Sequence, residues 1–296
     1  MTERGSSIAP DQAVTGSQTS VRDLEAAIRT EEPTANKQPD RYLLEIKNLT
    51  LHFGQKMVFD HFDLQIRRGE CMVLLGPSGI GKSTLLRLLL RTLAPESGTI
   101  WFEGKEITVL SGEKLNRLRA RIGMVFQSSA LISSLTVFEN LALPLREIAA
   151  KTEQEIQAIV DEKLCFVDLQ QAKYLMPSEL SGGMKKRVAV ARSLVMEPDL
   201  ILFDEPTTGL DPIVAHHVNE LILNLNRKAA VTTLVVTHDL NTAFYVANRI
   251  AMLNEGKIVE LGSPAEIRKS HNPVVVQFLA AALAASSFDP NAKADV

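Results

Sequence analysis

The sharpest chemical signal in the sequence is the run Gly76-Pro77-Ser78-Gly79-Ile80-Gly81-Lys82-Ser83, which has the form G-x-x-x-x-G-K-[ST]. It sits between an apolar run of strand length and a helical pattern, the context that gives this spacing meaning. Glycines let the backbone curl until its N–H groups face phosphate oxygens. Lys82 would add a point charge at the β- and γ-phosphates, and the Ser83 hydroxyl could ligate Mg²⁺. The dipole of the following helix adds to the attraction for an anion. The competing reading is a glycine-rich turn with no ligand, and the strand–loop–helix context argues against it.

Two further groups could share in that chemistry. Asp204 and Glu205 close an apolar run, and adjacent strand residues face opposite ways. Asp204 would then hold the Mg²⁺ shell while Glu205 orients or deprotonates a water. Alone, such a pair reads as a solvated loop start. Leu180-Ser181-Gly182-Gly183-Met184 opens a helix, with Ser181 where a cap belongs and two glycines leaving backbone N–H groups free. That makes a second anion site. On a separate subdomain it could not easily reach the nucleotide held by residues 76–83 of its own chain. Taken singly it is a plain helix start, and Lys185-Lys186-Arg187 reads as a solvated helix face.

These groups need elements to hold them. Leu44-Glu45-Ile46, Leu49-Thr50-Leu51-His52-Phe53 and Phe62-Asp63-Leu64-Gln65-Ile66 alternate as half-buried antiparallel strands do. Cys71 to Leu75, Ile122 to Phe126, Leu200 to Phe203 and Thr233 to Val236 are almost continuously apolar, which suits parallel strands covered on both faces. Helical patterns such as Ser83 to Arg91 and Lys185 to Met196 lie between them. A polar device follows each apolar run: the glycine loop, Gln127, Asp204-Glu205 and Thr237-His238. Open α/β sheets bind ligands at these carboxyl ends. The fold expected is therefore α/β with a mainly parallel core sheet, an antiparallel β subdomain and a helical subdomain inserted at 128–182.

Composition sets the outer limits. At ~150 residues per domain, a chain of this length holds about two domains or one with an insertion. The hydrophobic share of 45% is enough for a sizeable core. A net charge of −3 gives no reason to expect a nucleic-acid partner. Cys71 and Cys165 read as buried free thiols in apolar surroundings. Residues 1–40, polar and poor in aromatics, read as a disordered extension without a cleavable signal. No segment reaches the ~20 apolar residues of a membrane span. A nucleotide-binding domain is expected over 41–270 and a C-terminal docking tail over 271–296. In that tail Val275, Phe278, Leu279, Ala282 and Leu283 share one helical face, to be covered either by its own domain or by a partner.

Taken together, these motifs resemble the ATP-binding subunits of ABC transporters, over about Leu43 to Gly262. In that family 76–83 corresponds to Walker A, Gln127 to the Q-loop, 180–184 to the signature and 200–205 to Walker B. Gly209-Leu210-Asp211 resembles the D-loop, His238 the switch histidine and Phe53 the aromatic that stacks on adenine. The resemblance implies a P-loop NTPase (ABC ATPase) fold and ATP with Mg²⁺ as cofactors. It assigns ATP to Phe53, the 76–83 loop and Thr84; Mg²⁺ to Ser83, Asp204 and Gln127; and catalysis to Glu205, His238 and Gln127. Leu180 to Met184 would act in trans, in a head-to-tail homodimer.

The signature of the family usually ends in Gln, and here it ends in Met184. With the basic run that follows, and with Phe126 to Leu131, Val137 to Asn140 and Met176 to Leu180, the chain resembles the ATPases of Mla/Mce-type lipid transporters. That implies work at the cytoplasmic face of a bacterial inner membrane. The implied partners are an integral permease, an MCE-type lipid-binding protein and a small accessory subunit. Other ABC motors remain open, for an amino-acid importer or a lipoprotein or macrolide exporter. A non-transport ABC ATPase would bring coiled-coil, zinc or tandem-motor features that the sequence lacks. A purely structural module would not need Lys82, Asp204, Glu205 and His238 together.

Overall fold

The computed structural model describes residues 42–149 and 151–286; the expectation for residues 1–40 lies outside them. In chain order, β1 (Tyr42–Phe53) and β2 (Lys56–Arg67) form a hairpin, and β3 (Cys71–Leu75) leads through a loop into α1 (Lys82–Leu89). β4 (Ser97–Phe102) and β5 (Lys105–Glu106) return to the hairpin, and α2 (Gly112–Ala120) leads to β6 (Ile122–Val125). Then come α3 (Val137–Glu147), α4 (Glu153–Phe166) and α5 (Gly182–Leu194). β7 (Leu200–Asp204), α6 (Pro212–Ala229), β8 (Thr232–Thr237), α7 (Leu240–Val246) and β9 (Arg249–Asn254) follow. The chain continues through β10 (Lys257–Gly262), α8 (Pro264–Arg268) and α9 (Pro273–Ser286).

Two sheets result. The antiparallel one has the order β2-β1-β4-β5 and the other β10-β9-β3-β8-β7-β6. In the latter β9, β3, β8, β7 and β6 run parallel, and only β10 is antiparallel. Every residue of β3 is buried, because the two faces of the strand serve different cores. Cys71, Val73 and Leu75 pack with α3 to α7, while Met72 and Leu74 pack with α1 and the antiparallel sheet. Period-2 alternation thus persists, hidden inside an all-apolar run.

The two short alternating runs before Phe53 are one strand. Its pairing with β2 shifts between Ile46 and Leu49, where Asn48 takes φ +52° and donates its N–H to Asp63. A bulge of this kind breaks the alternation without ending the strand. Between residues 128 and 182 lie α3, α4 and two 3₁₀ turns, with no strand among the described residues. Thr136 with Glu139 and Thr152 with Glu155 form capping boxes that start α3 and α4.

Two expectations change, and one left open is decided in part. Cys165 is exposed, not buried: it lies between inward-facing Leu164 and half-buried Phe166, but one residue of helix is a turn of about 100°. Lys186 is only 4% exposed, so the basic run after Met184 is not a solvated face. In α9, Val275 is fully buried, and Phe278 and Leu279 pack against the same core; own-domain packing thus covers that part of the stripe. The Leu283 side chain lies outside the described residues. Among the described residues no helix is long and apolar enough to cross a membrane.

Candidate active site

The parallel register brings the carboxyl ends of four strands to one edge. Leu75 of β3 stands opposite Thr237 of β8, Asp204 of β7 opposite Val236, and Val125 of β6 opposite Phe203. The 76–81 loop therefore emerges beside Asp204, Glu205 and His238. Gly81, the residue before α1, takes φ +118°, and a Cβ there would meet Val58 Cγ1 at 2.7 Å. Glycine is required on both counts. No side chain caps α1, so its first-turn N–H groups are left for a ligand.

Lys82 is 5% exposed, and its Nζ donates to Gly76 O at 2.8 Å and Pro77 O at 3.0 Å. It also lies 3.4 Å from Glu205 Oε1. Ser83 Oγ donates to Asp204 Oδ1 at 2.8 Å. Thr84 completes the first turn, half-buried.

Glu205 is held on every side. It is 8% exposed and takes φ +45°, a strained conformation for a residue with a side chain. Its Oε2 accepts from Thr237 Oγ1 at 3.0 Å, from the His238 N–H at 3.3 Å and from Thr208 Oγ1 at 3.3 Å. His238 Nδ1 lies 3.0 Å from the same oxygen. Burial pushes the Glu205 carboxyl up, but the His238 bond, the Lys82 charge and the Thr237 bond outweigh it and hold it below the ordinary glutamate value. Burial wins at Asp204, whose pKa is raised despite the Ser83 bond. Burial also lowers Lys82 against the pull of Glu205. Both members of the Lys82–Glu205 pair are thus lowered, Lys82 by burial and Glu205 by the donors fixed around it, which favour its ionised form.

Other predicted residues occupy the rim. Phe53 is 47% exposed at the β1–β2 turn, whose Lys56 Nζ donates to Gly79 O at 3.4 Å. Gln127 is exposed after β6. Asp211 caps α6, its Oδ1 accepting from Ile213 and Val214 N–H.

Leu180 to Met184 are not brought to this site by hydrogen bonds: among the described residues none joins them to 76–84. Ser181 Oγ instead accepts from Met184 N–H at 3.3 Å, and Gly182 and Gly183 abut Leu210 and Val214.

Sequence reasoning marked Thr237 only as part of a strand-end device and missed Asp239 and Thr242 as supports. Thr237 Oγ1 bonds Glu205 and accepts from Asp239 N–H, while Asp239 accepts from Thr207 and Thr242. The available signal was a threonine closing an apolar strand. It also missed Lys186, which shares an inward helical face with Gly183 and Val190.

The comparisons agree with this geometry. The family described as ABC transporter matches residues 59–208. The intermembrane phospholipid transport system ATP-binding protein MlaF of Haemophilus influenzae is 43% identical over 237 residues, 80% of this chain and 90% of that protein. The probable ribonucleotide transport ATP-binding protein mkl of Mycobacterium leprae is 41% identical, over 82% of this chain and 70% of that protein. Among solved structures, cbiO1 of Clostridium perfringens, part of the ABC transporter complex cbiONQ, superposes with a TM-score of 0.73 at 30% identity. The match spans 83% of this chain and 98% of cbiO1. A dimeric ATP-binding cassette in a post-hydrolysis state, bound to ADP and Pi, matches at TM-score 0.68 and 33% identity, over 75% and 98%. On the strength of its strand-end residues, its sheet topology and these relatives, the chain belongs to the ABC transporter family, as an ATP-binding ATPase domain.

Proposed function

We propose that this chain is the ATP-hydrolysing subunit of an ABC system that moves phospholipid, acting as a head-to-tail pair with a membrane permease. The observation that carries the chemistry is Glu205: a buried carboxylate fixed by Thr237 and His238 and facing Lys82, groups that hold its pKa below the ordinary glutamate value. A carboxylate held in that state can accept a proton from, or orient, the water that attacks the terminal phosphate. Lys82 and the uncapped N-terminus of α1 place positive charge where the phosphates lie, His238 reaches the γ-phosphate, and Phe53 stacks on adenine. Ser83 and Asp204 present hard oxygens side by side, the donor set Mg²⁺ prefers, and Gln127 would add a third oxygen. Bound there, Mg²⁺ would neutralise phosphate charge.

The in-trans role of Ser181, Gly182 and Gly183 is supported by the contacts of the two glycines with Leu210 and Val214 and by the lack, among the described residues, of a hydrogen bond from 181–183 to the chain's own loop. A twofold pair closes two such sites at once, and a dimeric relative is known. A groove bordered by Met124, Ile132, Leu143, Pro144 and Ile148 is where the permease would dock. Among its described residues no helix is long and apolar enough to cross a membrane; on the likeness to MlaF we place the chain peripherally at the cytoplasmic face of the inner membrane. We further assign it an MCE-type lipid-binding protein and a small accessory subunit as partners. The exposed Val276 side of α9 is left for such a partner.

Phospholipid is supported by the MlaF likeness over most of both chains. The test is purification of the full chain from detergent-solubilised membranes of its host. We expect an integral permease and bound phospholipid to accompany it, and phospholipid to raise ATPase activity in reconstituted vesicles. A permease complex that responds to a nucleotide or amino-acid cargo and not to lipid would overturn the cargo assignment while leaving the ATPase intact.

A further inference from the structure

Lys186 is a buried lysine that the proposed chemistry does not use. Its Nζ donates to Gln127 O at 2.5 Å and to Phe126 O at 3.3 Å, across about sixty positions of chain. Six residues further along the same helix, Arg192 donates from Nη1 to Ala130 O at 2.7 Å and from Nη2 to Ser129 O at 3.1 Å. Both side chains lie on α5, and together they hold carbonyls of Phe126, Gln127, Ser129 and Ala130. The segment they hold is strained: Ser129 at φ +65° and Ala130 at φ +47° are consecutive non-glycine residues in the left-handed region, and Ser129 is buried. Such a conformation persists only where its surroundings fix it. At the base of the segment the two elements approach closely, since a Cβ on Gly123 of β6 would meet Ser193 O of α5 at 2.8 Å. Helix and strand end are thus packed in contact.

The position of Gln127 therefore depends on α5, and α5 begins at Ser181, Gly182 and Gly183. We propose that Lys186, supported by Arg192, is a positioning residue for Gln127. Through it, engagement of the α5 N-terminus by nucleotide on a second copy is transmitted to the chain's own catalytic edge. The proposal rests on the reading of Gln127 and of 181–183 given above. Its physical content is a charge-assisted clamp on backbone carbonyls, so it needs a cation with donors at 186 and nothing more. Burial lowers the Lys186 pKa, and the charges of Asp204 and Glu205 oppose that shift, so the same edge helps to hold the cation in the clamp.

The test uses the full-length dimer with four variants: Lys186→Met, Lys186→Arg, Gln127→Ala and the double variant Lys186→Met/Gln127→Ala. We expect Lys186→Met to lower kcat by about tenfold to a hundredfold, the cost of a small misplacement, with ATP affinity unchanged. Lys186→Arg should restore most of the rate. In the Gln127→Ala background Lys186→Met should cost little more, since the two act as one unit. Amide hydrogen exchange at Ser129, whose N–H donates to Phe126 O, should speed up in Lys186→Met. If Lys186→Met does not fold, Lys186→Gln carries the same comparison with a shorter donor. Parental kcat in Lys186→Met, or a full independent loss in the double variant, overturns the proposal while the ATPase assignment stands. A Gln127→Ala enzyme with the parental rate removes Gln127 from the site, and the positioning role falls with it.

Discussion

Helix α1 follows a glycine and helix α5 opens with two, yet their first turns are completed in different ways. The residue before α1 is Gly81 at φ +118°, with no side chain to satisfy the N–H groups behind it. The residue before α5 is Ser181 in ordinary extended geometry, its Oγ already accepting from Met184 N–H. Around α1 the complement is complete within the chain: Lys82, Asp204, Glu205 and His238 converge on one edge. Ser181 and Gly182 at the start of α5 face solvent, and Lys186 below them turns inward to Gln127. The contrast teaches that a nucleotide site can be finished in two halves. On the reading proposed above, the first half would bind by itself and the second would take its ligand from another molecule, so disrupting the second should spare binding and damage turnover.

The largest effect should come from the self-contained half. Lys82→Ala removes the buried cation at the phosphates, and we expect ATP affinity to fall by about a hundredfold or more in a fluorescence titration. Unchanged affinity would dissolve the contrast at its root. Glu205→Gln keeps the shape but not the charge. ATP should still bind, hydrolysis should fall by about 10²- to 10⁴-fold, and the ATP-bound dimer should accumulate on a sizing column. A variant with parental turnover would remove Glu205 from the chemistry.

Gly183→Ala probes the other half. A Cβ at 183 would meet Val214 Cγ1 at 2.3 Å, so either Val214 rotates or the start of α5 shifts away from α6. ATP binding by the single subunit should be spared, while turnover drops by about tenfold or more through misplacement at the second site. Loss of ATP binding in this variant would mean that the two halves are not separable.

What the sequence discloses follows the same division. Lys82, Ser83, Asp204, Glu205 and His238 were legible because each follows an apolar run at a carboxyl strand end. Those runs stand out because strands covered on both faces lose their alternation. β4 was harder to see: Gly98, at φ +88° with a virtual Cβ only 2.3 Å from Asn48 O, interrupts the pattern where the strand must pass close to β1. The clamp from Lys186 and Arg192 was illegible for another reason. It joins side chains to backbone carbonyls about sixty positions away, and carbonyls carry no residue type. Cys165 misled because apolar neighbours in sequence point to different faces of a helix.

The smallest expected effect is at Met184, where the sequence departs from its family. Its N–H is the atom that bonds Ser181 Oγ, and any residue but proline supplies that donor. Its side chain is half-buried and packs at the edge of the core shared with α3 to α7. Met184→Gln therefore leaves the cap alone and exchanges a thioether for an amide of similar volume. The amide must find a partner or water at a partly wet site, so the cost should be about 1 kcal/mol. For a domain of this size that is a fall of about 2–4 °C in Tm, with ATPase activity within a few-fold of the parent. Thermal unfolding and steady-state hydrolysis on the same preparation check both numbers. If activity collapsed while Tm held, the thioether would be making a contact in the closed pair. The α5 N-terminus would then be recognised through its side chains as well as its backbone.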